Sequence, residues 1–183
     1  MMLTTVCGFL LTFMTLQCHA WMTEYDQHFK IECPAGQTIK TLESVHDNHR
    51  EDRVWNFGCA TPPHGALLSA CEWSGYKNSY DQLLEFQCPN DGIITGVESI
   101  HDNGHEDRMW AFQCCNPDGH VSHACEYTPY VNSYDQMLTY RVPDGMVLRG
   151  VTSIHDNGHE DRIFKFDICK LDPLGGQGGI IVG

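Results

Sequence analysis

Apolar and polar residues alternate with period two in three short runs of the chain. The runs are Phe29 to Cys33, Leu84 to Cys88 and Leu138 to Val142, and a turn sequence with proline, asparagine or glycine follows each of them. Period-two alternation predicts β-strands with one buried face. Each run is therefore interpreted as a short strand that ends in a tight turn.

A longer pair of strands is predicted after each turn. In Ile94 to Ile100 the apolar residues lie three apart, and we interpret this stretch as a strand with a bulge near Gly96, because glycine and β-branched residues disfavour a helix. The polar loop Asp102 to Glu106 leads to a strongly alternating strand. Its core face is expected to carry Arg108, Trp110, Phe112 and Cys114, and its other face Met109, Ala111, Gln113 and Cys115.

These elements belong to a sequence unit that occurs three times. SIHDNGHEDR stands unchanged at Ser99 to Arg108 and at Ser153 to Arg162, and SVHDNHREDR from Ser44 to Arg53 is a diverged copy. An internal repeat of this length predicts one supersecondary unit per copy. We therefore predict an all-β fold of three tandem units of about 54 residues with pseudo-threefold symmetry, similar to a β-trefoil or a β-prism and stapled by disulfides.

The two ends of the chain differ from the repeats. Residues 1–20 have no charged side chain and centre on the apolar run Val6 to Leu16, which predicts a signal peptide and a secreted product. The glycine-rich residues 172–183 predict a flexible tail. No later stretch is apolar enough to cross a bilayer, so no membrane insertion is expected. A single domain is expected over residues 21–171, with units at about 25–79, 80–133 and 134–171.

Eight cysteines follow the predicted signal peptide, and an even number in an oxidising compartment predicts a disulfide framework. Two repeat positions hold cysteine in the first two copies and change together to Val142 and Ile168 in the third, as bonded partners would. The other four cysteines also correspond between copies. The predicted pairs are Cys33–Cys59, Cys88–Cys114, Cys71–Cys115 and Cys125–Cys169, with an exchange between the adjacent Cys114 and Cys115 left open.

Composition excludes several classes of function. The chain has 24 acidic and 11 basic residues and a net charge of −13, and this excess repels phosphate backbones, so nucleic acid is not an expected partner. It contains no nucleophile elbow, metalloprotease helix motif, phosphate-binding loop or dinucleotide fingerprint. Oxidised cysteines offer no thiolate nucleophile. We therefore expect no enzymatic activity.

The triplicated HDNGHEDR loop is the main candidate for chemistry. Its carboxylates are the ligand type that calcium prefers, and His101 and His105 are the type that zinc prefers. A zinc hydrolase is a remote alternative hypothesis. The alternative is a structural turn, in which Asp and Asn cap their own backbone and Asp107 fixes Arg108 beneath the sheet. We expect no cofactor, with calcium as the candidate ion. The candidate calcium ligands are Asp102, Glu106, Asp107, Asp156, Glu160 and Asp161.

An Asp-Arg pair followed by an aromatic residue ends each loop. We expect the arginine to lie between a ring and an acidic partner, as a clamp with a structural role. The residues of this motif are Asp52, Arg53, Trp55, Asp107, Arg108, Trp110, Asp161, Arg162 and Phe164.

The order of these elements resembles the dermatopontin family. The matching segments are DRVWNFGC from Asp52, DRMWAFQCC from Asp107 and DRIFKFDIC from Asp161, and the likeness extends from about Tyr25 to Leu171. It implies a secreted, non-enzymatic protein of the extracellular matrix, with roles in cell adhesion, agglutination and collagen fibril organisation. The implied partners are matrix proteins, proteoglycans, cell-surface glycans and receptors, with self-association.

The expected function is adhesion or agglutination, in which three similar faces make weak contacts that act together. The alternative is a divalent-cation-dependent lectin or a biomineral (shell) matrix protein that uses Asp102, Glu106, Asp107 and their copies.

Overall fold

The computed structural model describes residues 20–175, which form β-strands and one short 3₁₀ turn at Pro63–Gly65. The predicted all-β class with disulfide bridges is confirmed. The predicted signal peptide lies outside the described residues except for Ala20, as does the predicted tail beyond Gly175. The strands are β1 (Phe29–Glu32), β2 (Thr38–Asp47), β3 (Asp52–Ala60), β4 (Leu67–Trp73), β5 (Leu84–Gln87), β6 (Ile93–Asp102), β7 (Asp107–Asp118), β8 (His120–Tyr127), β9 (Leu138–Arg141), β10 (Met146–Asp156) and β11 (Asp161–Pro173).

Three long hairpins, one from each sequence copy, form the centres of the sheets. They are β2–β3, β6–β7 and β10–β11, and each has a shift of register in its first strand. In β6 the shift falls between Ile94 and Gly96, so the predicted strand and its bulge are both confirmed. The hairpins place a buried serine opposite an aromatic ring in the same register, as Ser44–Trp55, Ser99–Trp110 and Ser153–Phe164.

The outer strands pair with a hairpin of a different copy. β1 of the first copy pairs with β6 of the second, β5 of the second with β10 of the third, and β9 of the third returns to β2 of the first. β4 of the first copy also pairs with β7 of the second, and β8 of the second with β11 of the third. The three sheets therefore have the orders β1-β6-β7-β4, β5-β10-β11-β8 and β3-β2-β9. The copies are interleaved, and the trefoil or prism arrangement stays a prediction.

Inward-facing aromatic residues of the three hairpins form the centre of the core. Trp55, Trp110 and Phe164 meet edge to face, with ring centroids 5.2–5.7 Å apart. The predicted core face of β7 is buried from Arg108 to Cys114, but Ala111 and Cys115 of its other face are buried as well. The expectation of one buried face was therefore too simple, because Cys115 on the other face forms a disulfide with Cys71 of β4, the strand next to β7.

The eight cysteines form the four pairs that the repeat register predicts. In two bridges, Cys33–Cys59 and Cys88–Cys114, the residue that directly follows β1 or β5 is bonded to a strand of another sheet, β3 or β7. The other two, Cys71–Cys115 and Cys125–Cys169, join neighbouring strands of one sheet, β4 to β7 and β8 to β11. In the third copy the bridge between sheets is replaced by the buried side chains of Val142 and Ile168.

The last strand is longer than predicted. β11 continues to Pro173, two residues beyond the expected end of the domain at residue 171, because Asp172 and Pro173 pair with Val121 and His120 of β8. Among the residues that the structure describes, no helix is long and apolar enough to span a membrane.

Candidate binding face at the hairpin loops

The acidic loops of the three copies lie at the ends of the hairpins and border one shared pocket. Glu51, Glu106 and Glu160, one from each loop, line this pocket together with the arginines of the Asp-Arg motifs. All three glutamates have a positive φ, between 45° and 49°. We call the surface formed by residues 46–53, 101–108 and 155–162 the loop face.

Within each NGHE loop an aspartate caps the turn. Asp102 Oδ1 accepts hydrogen bonds from the Gly104 amide and from His105 Nδ1, both at 2.9 Å. The bond between the two side chains lowers the pKa of Asp102 and raises the pKa of His105. Asp156 makes the same bonds to Gly158 and His159. This is the turn geometry that the sequence offered as the alternative to a bound ion.

A stacked pair of rings stands beside each of these caps. Tyr80 stacks on His105 with centroids 4.9 Å apart and an angle of 14°, and Tyr134 stacks on His159 at 4.8 Å and 12°. The histidines are about half exposed, with side-chain exposures of 50% and 48%. Each loop therefore presents a flat aromatic surface next to a carboxylate. Sequence reasoning assigned these tyrosines no binding role, although the unchanged NSYDQ segments that contain them, residues 78–82 and 132–136, were a signal for them.

The first copy departs from this arrangement. His49 and Arg50 replace the Gly-His of the other loops, and Arg50 Nη1 lies 3.3 Å from Asp26 Oδ2. The aspartate still caps the turn, since Asp47 Oδ1 accepts the amide of His49 at 2.8 Å. The loop face thus has two equivalent ring pairs, and its first loop carries the basic residue Arg50 instead of the ring-pair histidine.

Each arginine of the Asp-Arg motif binds an aspartate of the preceding copy in the ring of three. Arg108 donates to Asp52 at 2.6 and 2.7 Å, Arg162 to Asp107 at the same distances, and Arg53 to Asp161 at 2.5 and 2.7 Å. All of these side chains are buried.

The prediction that Asp107 fixes its neighbour Arg108 was wrong, because adjacent residues of a strand point to opposite faces. The ring under the Arg108 guanidinium is also different from the expected one: it is Phe29, 5.3 Å away, rather than Trp110. The pairs are still a structural clamp, and each clamp holds two copies together.

The candidate calcium ligands do not converge. Asp102 caps its turn, Asp107 binds Arg162, and Glu106 Oε2 lies 3.7 Å from His101 Nε2. The copies divide in the same way, with Asp156 in its turn, Asp161 on Arg53 and Glu160 beside His155. The structure therefore gives these carboxylates separate partners and does not gather them around a single calcium position.

Comparison with known proteins agrees with the sequence motifs. A family model described as Dermatopontin matches residues 23–173. The chain belongs to the dermatopontin family. The predicted resemblance is thus confirmed, and four disulfides fit an oxidising compartment.

Three curated relatives are similar over most of the family domain. The chain is 42% identical over 154 residues to a hemagglutinin/amebocyte aggregation factor of Limulus polyphemus, covering 83% of this chain and 88% of that one. It is 40% identical over 148 residues to Millepora cytotoxin-1 of Millepora dichotoma, covering 81% and 65%. It is 38% identical over 144 residues to a dermatopontin of Biomphalaria glabrata, covering 79% and 95%. No solved structure matches the chain significantly.

Proposed function

We propose that this dermatopontin-family protein is a secreted adhesion protein of the extracellular matrix, which connects cells to matrix or to each other and agglutinates cells by non-catalytic, multivalent binding. The observation that carries the proposal is the repeated ring pair of the loop face, Tyr80–His105 and Tyr134–His159, each beside an aspartate. The name of the Limulus polyphemus relative, which refers to hemagglutination and aggregation, supports the same function.

The chemistry of the ring pairs favours a glycan as the cell-surface ligand. A flat aromatic surface packs against the apolar face of a sugar ring, while Asp102 and Asp156, both 44% exposed, accept hydrogen bonds from its hydroxyl groups. A single site of this kind binds weakly. Two such sites on one molecule bind a multivalent cell surface with an avidity that exceeds either affinity by about 10²–10⁴.

The predicted pseudo-threefold arrangement belongs to this proposal, because it places the three loops on one face. Agglutination requires binding faces that point in different directions, since one face engages only one cell. Self-association of the protein is therefore part of the proposal, with matrix proteins and proteoglycans as further partners. The calcium-dependent alternative has less support, because the loop carboxylates are not gathered around a single calcium position.

Removal of the ring pairs tests the proposal. The Tyr80→Ala, Tyr134→Ala double variant is expected to need at least about 10-fold more protein to agglutinate glycan-bearing cells, because avidity is lost with the sites. The matched control is Tyr76→Ala, Tyr130→Ala, which removes two tyrosines that are 42% and 41% exposed and lie outside the ring pairs. Equal agglutination by both variants, or none by the unmodified protein with and without divalent cations, would overturn the proposal.

A further inference from the structure

Three histidines at equivalent positions, His46, His101 and His155, lie buried where successive copies meet. Two of them, His101 and His155, also lie beside a glutamate of their own loop. The side chains of His101 and His155 are 0% and 1% exposed. The Nε2 atom of each has no hydrogen-bond partner in the described part of the chain. A buried polar atom without a partner is destabilising and rare, so these two nitrogens call for an additional ligand.

Carboxylates of the preceding copy surround each imidazole. Asp81 and Asp107 lie with His155, and Asp26 and Asp52 lie with His101, in groups whose candidate ligand atoms are within 4.8 Å of one another. One oxygen of Asp81 and one of Asp26 are also buried without a hydrogen bond. These oxygens lie on the Nδ1 side of each ring, with Asp81 Oδ1 3.5 Å from His155 Nδ1 and Asp26 Oδ1 3.9 Å from His101 Nδ1.

The spacing around His155 approaches that of a metal site. His155 Nε2 lies 3.9 Å from Asp107 Oδ1 and 3.7 Å from Glu160 Oε2. Two ligand atoms of a tetrahedral zinc ion, at bond lengths of about 2.0–2.1 Å, are about 3.3 Å apart. Side-chain movements of about half an ångström would close the difference. In the other group His101 Nε2 lies 3.7 Å from Glu106 Oε2.

A hydrogen bond on the far side of each ring orients these nitrogens. His101 Nδ1 lies 3.2 Å from Asn103 Oδ1, and His155 Nδ1 lies 3.3 Å from Asn157 Oδ1. An amide oxygen only accepts, so Nδ1 donates to it, and Nε2 faces the glutamate of the same loop. Metal-binding histidines are held by such a second bond, which fixes their tautomer.

The charge of the His155 group also favours a cation. Asp81, Asp107 and Glu160 are carboxylates and Arg162 is a guanidinium, so the formal charge of these four side chains is −2. Carboxylates this close together repel one another. A divalent ion relieves this repulsion. Asp107, His155 and Glu160 all line the pocket of the loop face, which gives an ion a route from solvent.

We propose that the His155 and His101 groups each bind one divalent transition-metal ion of the zinc type, through imidazole nitrogen and carboxylate oxygen. Calcium is not the expected ion, because it takes oxygen ligands. Each ion joins two successive copies, since His155 and Glu160 belong to the third copy and Asp107 to the second. The inference does not depend on the proposed glycan binding.

Calorimetric titration of chelator-treated protein with zinc tests the site. We expect two ions per chain and a rise in melting temperature, because the ion binds only the folded chain. The His101→Gln, His155→Gln double variant is expected to bind neither ion. The matched control, His105→Gln, His159→Gln, changes the exposed histidine of each loop and is expected to bind both.

A second pair of changes keeps the test clear if the buried histidines cannot be replaced without unfolding. Glu106→Gln, Glu160→Gln changes partly exposed side chains, and we expect at least about a 10-fold loss of zinc affinity. Cobalt(II) bound to the unmodified protein is expected to show the intense visible absorption of tetrahedral coordination. The proposal is wrong if the unmodified protein takes up no zinc, or if the exposed-histidine control alone abolishes binding.

Discussion

At the scale of single residues, the buried Asp-Arg pairs make stability depend on acid. Burial raises the pKa of Asp161, but the His46 imidazole and the Arg53 guanidinium lower it from 3.8 to about 2. A carboxyl group whose pKa is depressed in the folded state contributes stability above its unfolded pKa, and this is lost as the pH falls through the folded value. The shift corresponds to about 2 kcal/mol.

We therefore expect the free energy of unfolding to decrease between pH 4 and pH 2. The decrease should be smaller in the Asp161→Asn variant. Denaturant unfolding at pH 5, 3 and 2 measures both. Asp144→Asn, at a side chain 89% exposed, is the control and should follow the unmodified protein. An unchanged pH dependence in Asp161→Asn would contradict the assignment.

Removal of one arginine tests how strongly a clamp holds two copies. Arg108→Met leaves Asp52 buried without its partner, and we expect a loss of about 3–5 kcal/mol in the free energy of unfolding. Arg141→Met, at an arginine side chain 65% exposed, should cost less than about 1 kcal/mol. Equal losses in the two variants would show that the clamp is not a strong contact.

At the scale of elements, the residue pair next to the bulge of each hairpin combines one glycine with one larger residue on the opposite strand. In β2–β3 the first strand carries the larger residue, because Thr41 faces Gly58. In β6–β7 the second strand carries it, because Gly96 faces Gln113. A Cβ atom added to Gly58 would clash with Thr41 Oγ1, and one added to Gly96 would lie 2.9 Å from a backbone oxygen. The two hairpins therefore solve the same packing problem in opposite ways.

Exchanging the sizes in the first hairpin should be tolerated only as a pair. Gly58→Gln alone is expected to cost about 1–3 kcal/mol by overpacking against Thr41. Thr41→Gly, Gly58→Gln recreates the arrangement of the second hairpin and should recover most of that loss. Thermal unfolding of both variants and of Thr41→Gly alone decides whether the pair is coupled.

The elements differed in how far the sequence could predict them. The alternating strands, the bulge near Gly96 and the family were predictable, because period-two patterns and repeated motifs are local. β4 and β8 were missed, since their residues are largely exposed and lack alternation. The partner of each Asp-Arg motif was also missed, because it depends on which copy supplies the neighbouring strand.

At the scale of the whole molecule, the topology predicts that the copies do not fold separately. Every sheet contains strands of two copies, so we expect the chain 21–133, which lacks the third copy, to show no cooperative unfolding. The chain 21–175 keeps all described strands and should unfold cooperatively. Circular dichroism during thermal unfolding distinguishes the two, and a cooperative transition in the shorter chain would refute the dependence.

The return of β9 to the first hairpin also has a consequence for biosynthesis. Leu42 of β2 pairs with Tyr140 of β9, which is synthesised about 100 residues later. At a translation rate of about 5–20 residues per second, the edge of β2 stays unpaired for about 5–20 s on the ribosome. An unpaired strand edge exposes backbone groups that can pair with other nascent chains. Folding of this protein should therefore finish after synthesis and depend on protection of that edge by chaperones.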